Sequence, residues 1–155
     1  TFVIRIPFRI DTDRDSKVEA GEKTEASIRG LHILLAEDNE LNMEIAEFLL
    51  QNEGADVTKA WNGREAVEIF EKSRPDEFDI ILMDIMMPVM NGYEAAKMIH
   101  SMDREDAKTI PIIAMTANAF TEDKIRAKEA GMDEHIAKPV DGKLLVKIIH
   151  ELVRK

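Results

Sequence analysis

Asp79-Ile80-Ile81-Leu82-Met83-Asp84-Ile85-Met86-Met87-Pro88 is an apolar run that ends in a carboxylate, with a proline close behind. Four successive apolar residues without polar alternation mark a strand buried on both faces, as in a parallel sheet. Pro88 keeps a helix from starting directly after Asp84. Upstream, Leu31-His32-Ile33-Leu34-Leu35-Ala36 repeats the pattern and leads into Glu37-Asp38. Ligands of open α/β sheets bind beyond the carboxyl ends of the strands. Both acidic groups therefore fall where a site belongs, and together they form a candidate cation and phosphoryl site.

Working outward from these two runs, strand candidates are 31–36, 55–60, 79–84, 110–115 and 133–137, alternating with amphipathic segments near 40–53, 63–73, 91–102, 121–130 and 141–153. In the first amphipathic segment Leu41, Ile45, Phe48 and Leu49 share a face, and Gly54 follows as a helix stop. Asn62 precedes the second as a cap, with Glu65 three residues on. Leu144, Leu145, Ile148 and Leu152 recur behind Asp141 in the last. Five strands alternating with five helices predict an α/β, doubly wound parallel sheet with right-handed crossovers.

The first thirty residues read differently. Phe2, Ile4, Ile6, Phe8 and Ile10 alternate at every second position, the period of a half-buried strand, and Pro7 suits an edge. Residues 11–30 mix charges, hold no aromatic residue and carry glycines at 21 and 30, so they read as a linker. The expected organisation is a terminal strand of a preceding domain at 1–10, a linker at 11–30 and one α/β domain at 31–155.

Charge narrows the function classes. Residues 1–30 hold six basic and six acidic groups, whereas 31–155 hold 15 Lys+Arg against 25 Asp+Glu and so carry the whole net charge of −10. Direct nucleic-acid binding draws its affinity from basic groups on phosphates, so an acidic domain is a poor candidate for it. No apolar stretch approaches the roughly 18 residues of a membrane span, and the first residues lack the apolar core of a signal peptide. With no cysteine, disulfides and thiolate metal sites are excluded and a reducing, cytoplasmic location is expected.

Four strand ends now carry marked residues: Glu37-Asp38, Asp84, Thr116 and Lys138. Mg²⁺ prefers oxygen ligands and keeps several waters, so Glu37, Asp38 and Asp84 can supply its protein share. Without a cation, clustered carboxylates repel and tend to hold a proton. With the metal and Lys138 nearby, Asp84 stays ionised and can attack phosphorus, while Lys138 and the Thr116 hydroxyl hold the equatorial oxygens.

These residues resemble the receiver domains of two-component response regulators. The resemblance spans about residues 31–153 and rests on Glu37-Asp38, Met83-Asp84-Ile85-Met86-Met87-Pro88 with Asn91-Gly92, Met115-Thr116-Ala117 and Lys138-Pro139. It implies a flavodoxin-like strand order 2-1-3-4-5 and Asp84 as phosphoacceptor. It also implies Glu37, Asp38, Asp84 and the Met86 carbonyl as magnesium ligands, Thr116 and Lys138 as phosphoryl contacts, and a cis Lys138–Pro139 peptide. The family's switch aromatic falls at His135, which is expected to change rotamer with Thr116 and to make the response pH-sensitive. Met86 stands where relatives often place a polar group that orients water, so self-dephosphorylation is expected to be slow.

A second resemblance concerns Thr1-Phe2-Val3-Ile4-Arg5-Ile6-Pro7, which looks like the last strand of a histidine-kinase ATP-binding domain. With a linker and a receiver behind it, it implies the C-terminal part of a hybrid sensor kinase, whose parent is expected to dimerise and can be membrane-anchored. The implied partners are a histidine-kinase phosphodonor domain of the same polypeptide and a histidine phosphotransfer protein, with no nucleic acid and no membrane contact. No output domain is expected after Lys155, which favours onward transfer or regulation of the attached kinase.

Plainer readings stand beside these. Asp38 or Thr116 alone reads as a cap or turn residue, and Met83, Met86, Met87 and Met90 read as gap-filling rather than metal-binding. His32, His100 and His150 show no ligand spacing, and Trp61 reads as a packing residue. Two other functions compete: an aspartyl-phosphate hydrolase resembling the haloacid-dehalogenase phosphatases, and a receiver-like binding module that is never phosphorylated. The first needs an acid two residues past the nucleophile, where Met86 cannot move a proton; the second leaves the full set of acids, Thr116 and Lys138 unexplained.

Overall fold

Residues 27–117, 121–138 and 140–154 are described by the structure, a computed structural model. The expected strand at 1–10, the linker up to 26 and the cis Lys138–Pro139 peptide lie outside the described residues. Strands β1 (His32–Ala36), β2 (Asp56–Ala60), β3 (Ile80–Asp84), β4 (Ile112–Thr116) and β5 (Glu134–Ala137) alternate with helices α1 (Glu40–Asn52), α2 (Gly63–Lys72), α3 (Gly92–His100), α4 (Glu105–Thr109), α5 (Thr121–Glu129) and α6 (Gly142–Arg154). All pairings are parallel, in the order β2-β1-β3-β4-β5.

Alternation along each strand assigns side chains to the two faces of the sheet. Leu34, Ala36, Ile81, Met83, Ile112 and Ala114 face α2, α3, α4 and α5, where they meet Val67, Phe70, Tyr93, Ile99, Ala107 and Ala127. Ile33, Leu35, Ile80, Leu82, Ile113 and Met115 face α1 and α6, where they meet Met43, Ala46, Leu50, Leu145 and Ile149. Covering both faces is what allows the central strands to be apolar throughout.

Two expectations need correction. The described residues form six helices, not five: the additional α4 holds one apolar residue in five, Ala107, and is fixed by an ion pair instead of an apolar stripe. Arg104 precedes it and donates Nε and Nη2 to the two Asp106 oxygens at 2.8 and 2.7 Å. Its Nη1 donates to the Phe70 and Ser73 carbonyls at 2.8 and 3.2 Å. One half-buried guanidinium thus adds donors to carbonyls at and just past the end of α2, beside the Ser73 amide that already bonds the Phe70 carbonyl. The second correction concerns the phase of α1. Its buried residues are Met43, Ala46 and Leu50, whereas Leu41, Ile45 and Phe48 are 65%, 47% and 67% exposed.

The segment before β1 belongs partly to the domain. Ile28, read as linker, is fully buried in the α1–α6 layer, and the backbone of Ser27 meets His150 Nδ1 on α6. Histidines take the structural roles expected of them. His100 sets its two ring nitrogens 2.8 and 3.0 Å from the carbonyls of Ala107 and Gly131, and His32 sits between Glu77 and Asp56. Met83 and Met87 are core residues, Met90 packs at its margin, and Met86 is 76% exposed.

Candidate functional site

Strand register decides which residues meet. Ala36 pairs with Met83, Asp84 with Met115, and Thr116 with Ala137. Glu37, Asp84, Thr116 and Lys138 therefore emerge side by side at the carboxyl edge of the sheet, with Asp38 one residue further along. Asparagines then turn the chain into α1, α2 and α3. Asn39 accepts from the Asn42 amide at the start of α1, and Asn62 from the Glu65 amide at the start of α2. Asn91 forms a full capping box with Glu94 on α3.

Two glycines hold the loop that follows Asp84. A side chain at Gly92 would collide with the Asp84 carbonyl and crowd the Ile85 Cα, so α3 can start directly against the end of β3. One at Gly63 would collide with the Met90 carbonyl, to which the Gly63 amide donates at 3.1 Å. Between these anchors Val89 adopts a φ of 69°, and the Met90 amide closes onto the Pro88 carbonyl at 2.7 Å. A β-branched residue in the left-handed region is strained, and such strain collects at functional loops.

Lys138 joins the acids. Its Nζ lies 2.8 Å from Glu37 Oε2 and 3.0 Å from Asp84 Oδ2. The Met86 amide donates to Asp84 Oδ1 at 3.3 Å, and the Asn39 amide to Glu37 Oε1 at 3.1 Å. Glu37, Asp84 and Thr116 are buried, whereas Asp38 stands at the open mouth. Burial pushes the Asp84 carboxyl up to about 7, the charge of Glu37 adds to this, and Lys138 opposes it. Burial also works against the Lys138 ammonium, but its bonds to Glu37 and Asp84 outweigh that and hold the amine above its usual range.

The donor set fits a small hard cation. Glu37, Asp38 and Asp84 each offer a carboxylate oxygen, all within 4.8 Å of one another. An octahedral ion with ligands at about 2.1 Å places opposite oxygens about 4.2 Å apart, so small side-chain rotations close the difference. One ammonium facing three carboxylates leaves negative charge over, and the raised Asp84 registers that excess.

Every acid predicted from sequence is in this cluster, together with Lys138. Thr116 ends the neighbouring strand. Met86 occupies the loop just past Asp84, with its amide on the carboxylate and its side chain in solvent. His135 is half-buried in β5, two residues before the strand ends, with Nδ1 3.6 Å from Glu134. Sequence reading missed Tyr93 and Arg126, which line a cavity of about 190 Å³ with Met86 and Thr116; Tyr93 directly follows Asn91-Gly92, the signal that could have found it, whereas Arg126 has no motif around it.

The model of the response regulator receiver domain matches residues 33–150. The chain belongs to this family. Among curated receiver-containing proteins, it is 42% identical over 122 residues to hybrid signal transduction histidine kinase M of Dictyostelium discoideum, covering 78% of this chain and 5% of that protein. It is 34% identical over 162 residues to histidine kinase 1 of Arabidopsis thaliana, covering 85% and 13%. The chain thus spans a small part of the kinases it matches. A solved receiver domain of a Pseudomonas aeruginosa PAO1 sensor histidine kinase superposes with a TM-score of 0.73 at 37% identity, covering 81% of this chain and 99% of that one. That domain holds a magnesium ion in its active-site cleft. A chain of the Saccharomyces cerevisiae co-crystal of the phosphotransfer protein Ypd1 with the Ssk1 receiver domain matches at 30% identity and a TM-score of 0.73, covering 81% and 90%. No helix among the described residues is long and apolar enough to cross a membrane.

Proposed function

We propose that this receiver takes a phosphoryl group from a phosphohistidine onto Asp84 with Mg²⁺ bound, then passes it to a histidine phosphotransfer protein or changes conformation. The observation that carries this reading is the contact of Lys138 with both Glu37 and Asp84 in a buried acidic cleft. A carboxylate oxygen of Asp84 forms the new bond to phosphorus, the phosphorus–nitrogen bond breaks, and the donor imidazole keeps the electron pair. Glu37, Asp38, Asp84 and the Met86 carbonyl would hold Mg²⁺, which would supply positive charge against the transferring oxygens. Lys138 shifts from the carboxylates toward the phosphoryl oxygens, and the Thr116 hydroxyl donates to another. Met86 brings no proton-transferring group, so a bound phosphoryl group is retained.

The exposed stripe of Leu41, Ile45 and Phe48 flanks the cleft, because Ile45 borders a small pocket with Glu37 and Lys138. We assign it as the face on which the phosphotransfer protein docks. The relatives named above support placing the chain within a hybrid kinase; in that reading, which rests on the sequence, 1–10 is the end of the kinase's ATP-binding domain and the receiver lies in the cytoplasm. The segment then catalyses only transfer to its own Asp84.

Incubation with a small phosphodonor and Mg²⁺, followed by intact mass, tests the assignment. A stable gain of one phosphoryl group that Asp84→Asn abolishes is expected. Repeated turnover of the donor without a retained adduct points to a hydrolase, and an unchanged mass to a binding module.

A further inference from the structure

Helix α1 breaks its own pattern at one place. Asn42, Ile45 and Leu49 follow one another at helical spacing. They mark the side of α1 turned to the start of α6, where a side chain at Gly142 would come within 3.1 Å of Leu49 Cδ2. Asn42 is half-buried there. Asparagine is a weaker helix former than leucine or alanine, and its neighbours along this side are apolar. The Asn42 backbone amide completes the Asn39 cap at 2.9 Å. Its side-chain amide makes no hydrogen bond among the described residues. Neither the cap nor the packing uses that amide.

What the side chain does meet is a cavity of about 40 Å³, which Asn42 lines together with Glu37 and Lys138. The rest of the wall is apolar: Ile45, Ala46, Met115 and Val140. A space of that size holds one or a few waters, so its three polar groups bond one another directly or through water. An ammonium carries three N–H donors. Lys138 directs two of them at Glu37 Oε2 and Asp84 Oδ2, at 2.8 and 3.0 Å, which leaves one for the cavity. The other Glu37 oxygen already accepts from the Asn39 amide. On this wall the Asn42 carbonyl oxygen is the neutral acceptor that the third N–H can use.

From this we propose that Asn42 is a positioning residue for Lys138: its side-chain carbonyl takes the third N–H, directly or through one water, and keeps the ammonium beside Asp84 when the carboxylates are claimed by a cation. The inference rests on the cation and phosphoacceptor reading of the cleft. Glu37 and Asp84, which hold Lys138, are two of the three acids that offer oxygens to a cation. A carboxylate whose charge is neutralised holds an ammonium less strongly. Asn42 is neutral and stands outside that donor set, so its bond outlasts the exchange. The lysine stem is flexible, and without a third anchor the ammonium is free to leave for solvent. A hydrogen bond to a charged group is also stronger on an apolar wall than in water.

The test uses the full 155-residue chain and follows the lysine ammonium protons by nitrogen-edited NMR, with the Lys138 signal assigned from Lys138→Arg. Ammonium protons held in hydrogen bonds exchange slowly with water and stay visible. Without Mg²⁺ the Lys138 signal is expected in the parent chain and in Asn42→Leu alike, since both carboxylates hold the amine. At saturating Mg²⁺ it should persist in the parent and vanish in Asn42→Leu. Asn42→Ala should repeat the result, which covers the case that the leucine disturbs folding. The rate of phosphoryl gain from acetyl phosphate, read by intact mass, should fall roughly tenfold in both variants. A merely structural Asn42 would shift the unfolding temperature and leave the Lys138 signal the same in parent and variants at saturating Mg²⁺. That equality, an unchanged rate, or loss of the parent's own signal on adding Mg²⁺ overturns the inference. If the parent chain gains no phosphoryl group, it is the Asp84 reading that fails, and the inference falls with it.

Discussion

Replacing Asp84 with asparagine should stabilise the chain, and by an amount that grows with pH. The folded carboxyl holds its proton to about pH 7, whereas the ordinary value is 3.8. Between those values the folded state binds more protons than the unfolded one, so stability falls as pH rises and stays low above 7. Each pKa unit is worth about 1.4 kcal/mol. The ionised Asp84 of a 3%-exposed site therefore costs on the order of 4 kcal/mol at pH 8, and less than half of that at pH 5. The amide of the Asp84→Asn variant does not titrate, and its oxygen can still accept from Lys138. Urea unfolding of both proteins at pH 5 and pH 8, with chelator present, measures the difference. The advantage of Asp84→Asn should be about 2–3 kcal/mol larger at pH 8 than at pH 5. Millimolar Mg²⁺ should shrink that advantage, because the cation binds the ionised cluster. An equal advantage at both pH values refutes the reasoning, for it would mean that Asp84 ionises freely in the fold.

Three further outcomes follow from particular contacts. Arg104→Ala leaves the buried Asp106 carboxylate with the Asp76 amide but without its cation, and should cost about 3 kcal/mol in urea unfolding at pH 7. The bond from Arg104 holds Asp106 below the usual carboxylate range, so its share of stability is present above the unfolded pKa and lost as pH falls through the folded one; the penalty of Arg104→Ala should therefore shrink toward pH 2. Ile28→Ala empties a fully buried site and should cost about 2–5 kcal/mol; a negligible loss would show that the segment before β1 is dispensable. Phe48→Ala, on an exposed face, should slow transfer to or from a phosphotransfer protein while leaving the rate with a small phosphodonor unchanged.

The sequence-legible features share one property: they are local. Continuous apolar runs ending in Glu37-Asp38, Asp84 and Thr116 announce strand ends directly, Lys138 follows the shorter Ile136-Ala137, and parallel order brings those ends to one edge. Asn62, Asn91 and Asp141 mark helix starts within a few residues. The features that are not legible depend on contacts between distant parts of the chain. Helix α4 has too little apolar content to show a period, and its partner carbonyls at Phe70 and Ser73 lie more than 30 residues away. Ile28 stands among Ser27, Arg29 and Gly30, so nothing nearby marks it as core. On α1 the period is readable but the phase is not, because Met43, Ala46 and Leu50 compete with Leu41, Ile45 and Phe48 for the inward face.

That ambiguity on α1 has a physical meaning. A helix needs one apolar stripe to bury, and Met43, Ala46 and Leu50 already provide it; a second stripe adds nothing to folding and carries exposed hydrophobic area in water. The same logic applies in the cleft. Asp84 pushed up to about 7 and Val89 at a φ of 69° both work against stability, and both lie within the loop and strand end that meet the substrate. In the proposed function a cation neutralises the first cost, and phosphoryl transfer redirects Lys138 from the carboxylates to the new oxygens. The local rules broken in this cleft then meet their compensation from outside the chain. On that proposal it is a cation for the acids, a phosphoryl group for Lys138, and an apolar partner surface for Leu41, Ile45 and Phe48.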